Sequence, residues 1–330
     1  MAKTILPRTK VIDAKRLADM WEVTTEDLET GVHATHKART IINAAGPWVA
    51  KVLGETLGVE TTENVRLVRG SHIVVPKIFE HGQPYILQGT DGRIVFAIPY
   101  ENDFTLIGTT DVDHDYDPQT PKCSEEETAY LCDFVSHYFK QPVTPSDVVW
   151  SYSGVRPLYD DGASNASAAT RDYVLSLNTD AAPLLNVFGG KITTYRVLAE
   201  DVLSKLGHSG KWTAGIPLPG GDFAWDGAEA QISNLKASYP FLSHAWADRL
   251  VHTYGTLASD MLGTAKTETD LGQQFGSTLS EAELKWLQDN EFARTGEDVL
   301  WRRTKLGLQL DDAERQTVID WMAQARKSVA

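Results

Sequence analysis

A break in the hydrophobic pattern near residue 210 constrains this chain more than any other feature. Up to Gly207 the sequence runs in short stretches rich in β-branched and aromatic residues, punctuated by Gly, Pro, Asn and Asp, as strands joined by turns do. Past Ile216-Pro217-Leu218-Pro219-Gly220-Gly221, a stretch with the composition of a linker, the signals are helical and strand alternation almost disappears. A chain of 330 residues also exceeds what one hydrophobic core usually organises. The pattern therefore predicts a mixed α/β region at 1–210 and an all-helical region at 217–330.

Within the first region, strands are predicted at 9–14, 20–25, 66–75, 85–88, 93–99, 104–109, 148–153, 173–177 and 184–188. Ala38–Trp48 reads as an apolar strand running through Ala44, Ala45 and Gly46 into a helical stretch. Ser124-Glu125-Glu126-Glu127 is a capping box and predicts a helix to about Phe139. A further helix is predicted from Ile192 to about Leu206. In the second region Ser280-Glu281-Ala282-Glu283 is another capping box, Gly255 stands where a C-cap glycine belongs, and Asp311 or Asp312 can cap a last helix. Val318, Trp321, Met322 and Ala325 fall on one face of that helix.

Charge narrows the function classes. Acidic residues outnumber basic ones 45 to 31, a formal net charge of −14, and no basic run is present. Such a chain repels nucleic acid, and an anionic ligand needs Lys and Arg gathered locally against the global field. Cys123 and Cys132, both placed in the predicted helical stretch, form neither a disulfide framework nor a zinc or CxxC spacing, which fits reduced thiols in a cytoplasmic protein. The first residues lack the apolar core of a signal peptide, and no run of ~18 apolar residues suggests a membrane span.

Four segments could carry chemistry. In Gly189-Gly190-Lys191-Ile192-Thr193-Thr194 a strand meets a helix through two glycines. The helix start offers N–H groups and a positive dipole end to an anion or a flavin edge, with Lys191 adding charge; a plain glycine turn with a surface lysine is the alternative. Arg156, beside Gly154 and Pro157 at a strand end, is either a surface residue or a fork for a carboxylate or phosphate. Arg171 opens the next strand and is a second such arginine, unless a carboxylate such as Asp172 neutralises it. His72 enters an apolar strand, where a lone histidine is commonly structural. No His/Cys cluster suggests a metal, and no GxSxG elbow suggests a serine hydrolase.

Taken in order, Ala-Ala-Gly-Pro-Trp (44–48), Gly-Ser-His-Ile-Val-Val-Pro (70–76), Gly-Thr-Thr-Asp (108–111), Tyr-Ser-Gly-Val-Arg-Pro-Leu (152–158), Thr-Arg-Asp-Tyr (170–173) and Gly-Gly-Lys-Ile-Thr-Thr-Tyr-Arg (189–196) closely resemble the FAD-dependent glycerol-3-phosphate dehydrogenases. Asp270-Leu271-Gly272, Glu283–Trp286 and Trp301–Lys305 resemble that family's C-terminal domain, so the resemblance spans essentially the whole chain. It implies a D-amino-acid-oxidase-like FAD-binding domain with a mixed-sheet substrate domain, followed by a helical domain. It also implies oxidation of sn-glycerol 3-phosphate to dihydroxyacetone phosphate, with hydride passing to FAD and electrons to a quinone. The expected location is cytoplasmic, with peripheral contact at the inner face of the membrane. By position, Arg171 and Lys191 would bind the phosphate, Arg156 the C2 oxygen or the phosphate end, and His72 would lie beside the C1 and C2 hydroxyls. His72 is the candidate base, since an ordinary histidine pKa of ~6.5 suits proton removal near neutrality. Ala44, Ala45, Gly46, Gly190 and Thr193 would line FAD.

That family opens on a G-x-G-x-x-G turn that holds the ADP half of FAD, and this sequence contains none. The expectation is a C-terminal portion of a longer enzyme that does not retain FAD by itself. The alternatives are a glycerol-3-phosphate oxidase using oxygen and a non-catalytic fragment of such an enzyme. An amine or amino-acid oxidase of the same superfamily fits less well, because Arg156, Arg171 and Lys191 together suit a phosphate better than one carboxylate.

Overall fold

The computed structural model describes residues 4–61, 63–90, 92–160 and 172–329. The chain divides into two units, Met1–Thr213 and Ala214–Ala330.

The first unit holds three sheets. Strands β1 (Thr9–Arg16), β2 (Trp21–Asp27) and β3 (His33–Ala38) form an antiparallel meander. Its second turn is held by Asp27, whose Oδ1 accepts the N–H groups of Glu29 and Thr30, and by Gly31 at φ +72°. Trp21 is fully buried and donates its indole N–H to the Pro183 carbonyl at 3.1 Å. That bond ties the meander to a second sheet, to which β4 (Ile41–Asn43) contributes an edge strand. After β4 the chain enters short helical turns over 46–56.

The largest sheet uses β5 (Val65–Pro76), β6 (Tyr85–Gln88), β7 (Ile94–Tyr100), β8 (Phe104–Gly108), β9 (Val112–Asp113) and β10 (Trp150–Tyr159). Its order is β10-β5-β8-β7-β6, with β9 pairing β5. Helix α1 (Glu125–Ser136) covers one face, where Ile73, Val75, Val95, Ala97 and Ile107 meet Leu131, Cys132 and Val135. Each fully buried Val, Ile or Leu among them contributes about 1.5–3 kcal/mol. Strand side chains alternate, so Gly70, His72, Phe96 and Gly108 stand on the opposite face. The Ser124 capping box forms in both directions: Ser124 Oγ accepts the Glu127 N–H and Glu127 accepts the Ser124 N–H. The helix ends at Ser136 rather than near Phe139, and Cys123 precedes the N-cap instead of lying in the helix.

Strands β11 (Val174–Asn178) and β12 (Leu184–Phe188) complete the second sheet, and α2 (Tyr195–Lys205) follows. All five β12 residues are buried, as expected of a parallel-paired interior strand. β12 pairs β4 in parallel, with Asn186 opposite Asn43.

The second unit is helical: α3 (Ala228–Ser238), α4 (His244–Tyr254), α5 (Leu257–Leu262), α6 (Glu281–Asn290) and α7 (Asp312–Val329). One core joins them, including Leu250 of α4, Leu284 and Leu287 of α6, and Val318 and Met322 of α7. Gly255 takes φ +57° at the α4 C-cap, and an added Cβ there would collide with the Gly220 carbonyl. Asp311 caps α7, with Glu314 reaching back to its N–H. At α6 the expected reciprocal box does not form. Ser280 caps the helix, but Glu283 turns inward to Arg249 at 2.7 Å and accepts the Tyr254 hydroxyl at 2.7 Å.

Candidate active site

The candidate site is on the face of the largest sheet that α1 leaves uncovered. One row crosses it through the register partners Ile86, Phe96, Gly108, His72 and Tyr152. His72 stacks on Tyr152 with ring centroids 5.0 Å apart and planes 7° from parallel. Its ring lies over Gly108, where any Cβ would collide with it. The same device serves the arginine: the Arg156 guanidinium lies over Gly70, where an added Cβ would strike it. Two glycines in the sheet thus clear the space in which a histidine and an arginine lie flat.

β10 runs to Tyr159, six residues beyond its predicted end, and so carries Arg156 within the strand. It pairs β5 without a break from Trp150–Val74 to Tyr159–Val65, and this long ladder overrides the local signals of Gly154 and Pro157. Proline is tolerated because β10 is the edge strand. The loop after β8 grips the guanidinium: Arg156 Nη1 donates to Asp111 at 2.5 Å, and Nη2 donates to the Thr109 hydroxyl at 2.9 Å.

Burial, and after it the Arg156 cation, pushes the His72 pKa from the ordinary 6.5 to about 4. The imidazole is therefore neutral at pH 7, not poised near its midpoint as an unperturbed value implied. Its Nδ1 is buried without a hydrogen-bond partner among the described residues. Burial also raises the Tyr152 hydroxyl above its usual value.

Behind this face lies a buried polar network. Glu127 accepts hydrogen bonds from the hydroxyls of Thr110 (2.6 Å) and Ser71 (2.9 Å) and pairs with Arg69 at 3.0 Å. Ser71 Oγ lies 2.8 Å from Ser153 Oγ, and Arg69 donates to the Tyr116 hydroxyl. Burial acts to raise the Glu127 pKa, but hydrogen bonds from Thr110, the Ser124 N–H, Arg69 and Ser71 outweigh it and hold it below the ordinary value.

The second sheet delivers the remaining candidates. Because β4 and β12 are parallel, their C-terminal ends lie side by side, bringing Ala44, Ala45 and Gly46 near Gly189 and Gly190. Gly46, Gly189 and Gly190 all have positive φ (54°, 71° and 105°). A Cβ on Gly189 would lie 3.4 Å from the Pro157 carbonyl, so this turn rests against the end of β10 that carries Arg156. Lys191 precedes the helical turn Ile192–Thr194; it is half exposed and lies 3.5 Å from Asp172. Thr193 is exposed on that turn. Beneath, Asn43 donates to Asn186 at 3.1 Å and to the Val49 carbonyl at 3.0 Å, while its own buried Oδ1 has no partner among the described residues. Arg171 lies outside the described residues. No group of three or more His, Cys, Asp or Glu side chains among the described residues is placed to hold a metal ion.

Some members of the site were not legible as such. Asp111 and Thr109 sit in the Gly-Thr-Thr-Asp motif, yet nothing local says that they hold Arg156. Gly70 could have been found, since it stands two residues before His72 on one face of an apolar strand.

An antiparallel sheet with a helix on one face and Arg156 and His72 on the other, beside a mixed sheet with glycine turns at adjoining strand ends, is the arrangement of the flavin-dependent oxidoreductase class. Residues 3–196 match the family model "FAD dependent oxidoreductase", and residues 211–327 match "C-terminal domain of alpha-glycerophosphate oxidase". The chain belongs to the FAD-dependent oxidoreductase family. It is 42% identical over 327 residues to the aerobic glycerol-3-phosphate dehydrogenase of Escherichia coli, covering 97% of this chain and 65% of that protein. It is 43% identical over 328 residues to the D-erythritol 1-phosphate dehydrogenase of Brucella abortus, covering 98% and 65%. The crystal structure of a glycerol-3-phosphate dehydrogenase from Bacillus halodurans complexed with FAD superposes with a TM-score of 0.80 at 26% identity, covering 97% of this chain and 64% of the other. The chain thus spans just under two thirds of the length of these relatives. Among the described residues, no helix is long and apolar enough to cross a membrane.

Proposed function

We propose that this chain carries the substrate face and part of the flavin site of an FAD-dependent polyol-phosphate dehydrogenase, with sn-glycerol 3-phosphate as substrate and dihydroxyacetone phosphate as product. The observation that carries this reading is the pair Arg156 and His72 lying flat on one sheet face, in space cleared by Gly70 and Gly108, beside the Gly189–Lys191 turn. The similarity to proteins named for two polyol phosphates supports the substrate class.

The residues present fit FAD. Gly46 has open space where a Cβ would project, Gly190 adopts a φ that side chains avoid, and the orphaned Asn43 Oδ1 lies beneath the adjoining strand ends. Ala44, Ala45, Gly46, Gly190 and Thr193 would hold it. When bound, FAD supplies the hydride acceptor, and a membrane quinone is the onward electron acceptor in this reading.

Arg156 orients the C2 oxygen and stabilises negative charge developing there; Asp111 and Thr109 fix its fork before substrate arrives. His72, neutral at pH 7, takes the C2 hydroxyl proton at Nε2, since Nδ1 is enclosed. The stacked Tyr152 ring fixes the plane of the imidazole for that exchange. Lys191 and Arg171 hold the phosphate dianion against the net charge of −14.

Anaerobic mixing of the FAD-carrying protein with sn-glycerol 3-phosphate, D-erythritol 1-phosphate and glycerol tests the reading. Glycerol 3-phosphate should bleach the flavin fastest. Arg171→Ala or Lys191→Ala should weaken its use by about 1.5–3 kcal/mol while sparing glycerol. Equal bleaching by glycerol and its phosphate would refute the phosphate assignment. Stoichiometric hydrogen peroxide in air, with no turnover of quinone, would identify an oxidase instead.

A further inference from the structure

We propose that Glu127 is a positioning residue for Arg156, acting through Thr110 across the thickness of the sheet. This inference rests on the reading that Arg156 contacts substrate.

Glu127 is tied to more than a helix cap requires. Capping α1 uses one oxygen, Oε2, which accepts the Ser124 N–H at 3.0 Å. The other, Oε1, accepts the Thr110 hydroxyl at 2.6 Å and the Ser71 hydroxyl at 2.9 Å. Thr110 Oγ1 in turn accepts the Ser71 N–H at 2.9 Å, so this side chain is held from β5 as well as from α1. Thr110 is 5% exposed and Glu127 6%, so water does not compete for these bonds.

On the other side of the sheet, the residues flanking Thr110 do something different. Thr109 Oγ1 accepts Arg156 Nη2 at 2.9 Å, Asp111 Oδ1 accepts Nη1 at 2.5 Å, and the Thr110 carbonyl accepts Nη1 at 3.4 Å. Three successive residues are therefore anchored on the helix side by the middle side chain, while all three present acceptors to one guanidinium. If the Thr110 anchor slips, its neighbours move with it, and Arg156 loses the geometry that holds it beside His72.

His72 reports on this without any cofactor or substrate. The ionisable groups on its face are Arg156 and Tyr152 of β10, Asp111 through its pair with Arg156, and Tyr100 at the far end of β7; the neighbouring β7 residue Phe96 is uncharged. The direction of change separates two mechanisms. Removing the Glu127 charge acts through space to lower the His72 midpoint, whereas displacing the Arg156 cation raises it.

The test is an NMR titration of the His72 imidazole in the full chain as wild type, Glu127→Gln, Thr110→Val, Arg156→Ala and the double variants. Gln still serves in a capping box but leaves the buried Arg69 without its counter-charge, whereas Thr110→Val changes no charge and keeps that pair, so the two variants separate loss of the anchor from loss of the ion pair. Arg156→Ala should raise the midpoint by about one unit. Glu127→Gln and Thr110→Val should each raise it by about half a unit, and neither should add to Arg156→Ala. A midpoint that stays put or falls in both single variants overturns the proposal, as does a shift that adds fully to Arg156→Ala. In FAD-carrying protein, the same two variants should lower kcat for glycerol 3-phosphate at least tenfold with little change in KM. If the wild type fails to oxidise that substrate, the proposed function fails while the titration still decides the role of Glu127.

Discussion

At the scale of single residues, the site depends on what is removed as much as on what is supplied. Gly70 and Gly108 contribute no side chain, and that is why Arg156 and His72 can lie against the sheet. Placing His72 there has an energetic consequence. Its pKa is depressed in the folded state, so the unfolded chain binds the extra proton first as pH falls. The contribution of neutral His72 is intact above the unfolded value near 6.5 and is lost as pH drops through about 4. Denaturant titrations across that window should show stability falling with pH, and His72→Gln should flatten the fall. The same substitution should slow flavin reduction by roughly 10²–10⁴ if His72 accepts the proton. A rate within threefold of wild type would leave it a packing role only.

At the scale of elements, two S-x-x-E sequences that look equivalent have different fates. At α1 the glutamate caps its helix and also enters the buried network; at α6 it abandons the cap. The reason is the neighbour. Arg249 of α4 is 13% exposed and Glu283 1%, so each requires a partner, and their two bonds of 2.7 Å form the pair. The Thr278 carbonyl and hydroxyl take up further Arg249 donors, and the burial that encloses this group drives the Tyr254 hydroxyl pKa far upward. Glu283→Gln should therefore destabilise the helical unit by about 3–5 kcal/mol, because it leaves Arg249 buried without its counter-charge. Urea unfolding measures this, and a loss below 1 kcal/mol would show that the arginine escapes to solvent.

At the scale of the molecule, the helical unit has its own core. Its buried cluster runs from Ile232 to Met322, and every hydrophobic residue packed on it also comes from 241–321. The linker glycine Gly220 docks on the α4 C-cap, with the Thr256 N–H donating to its carbonyl at 3.1 Å. Expressed alone, residues 214–330 should unfold cooperatively with a helical far-ultraviolet spectrum. A broad, non-cooperative melt would show that this core is insufficient by itself.

Much of this organisation was present in local signals. The pattern break near residue 210, the strand runs, both capping serines and the Gly255 C-cap are encoded within a few residues, because turn chemistry and side-chain periodicity act at that range. His72, Arg156 and Lys191 were singled out by motif order, and the fold brings them to neighbouring strand ends and faces. What only the tertiary structure decided is long-range. The β5–β10 ladder carried the strand through Pro157, parallel pairing of β4 with β12 joined glycine turns about 140 residues apart in the chain, and burial of the ring over Gly108 and against Tyr152 set the His72 protonation state. Those outcomes depend on burial and on partners distant in sequence, and desolvation is a property of the packed surroundings that no residue carries in its own identity.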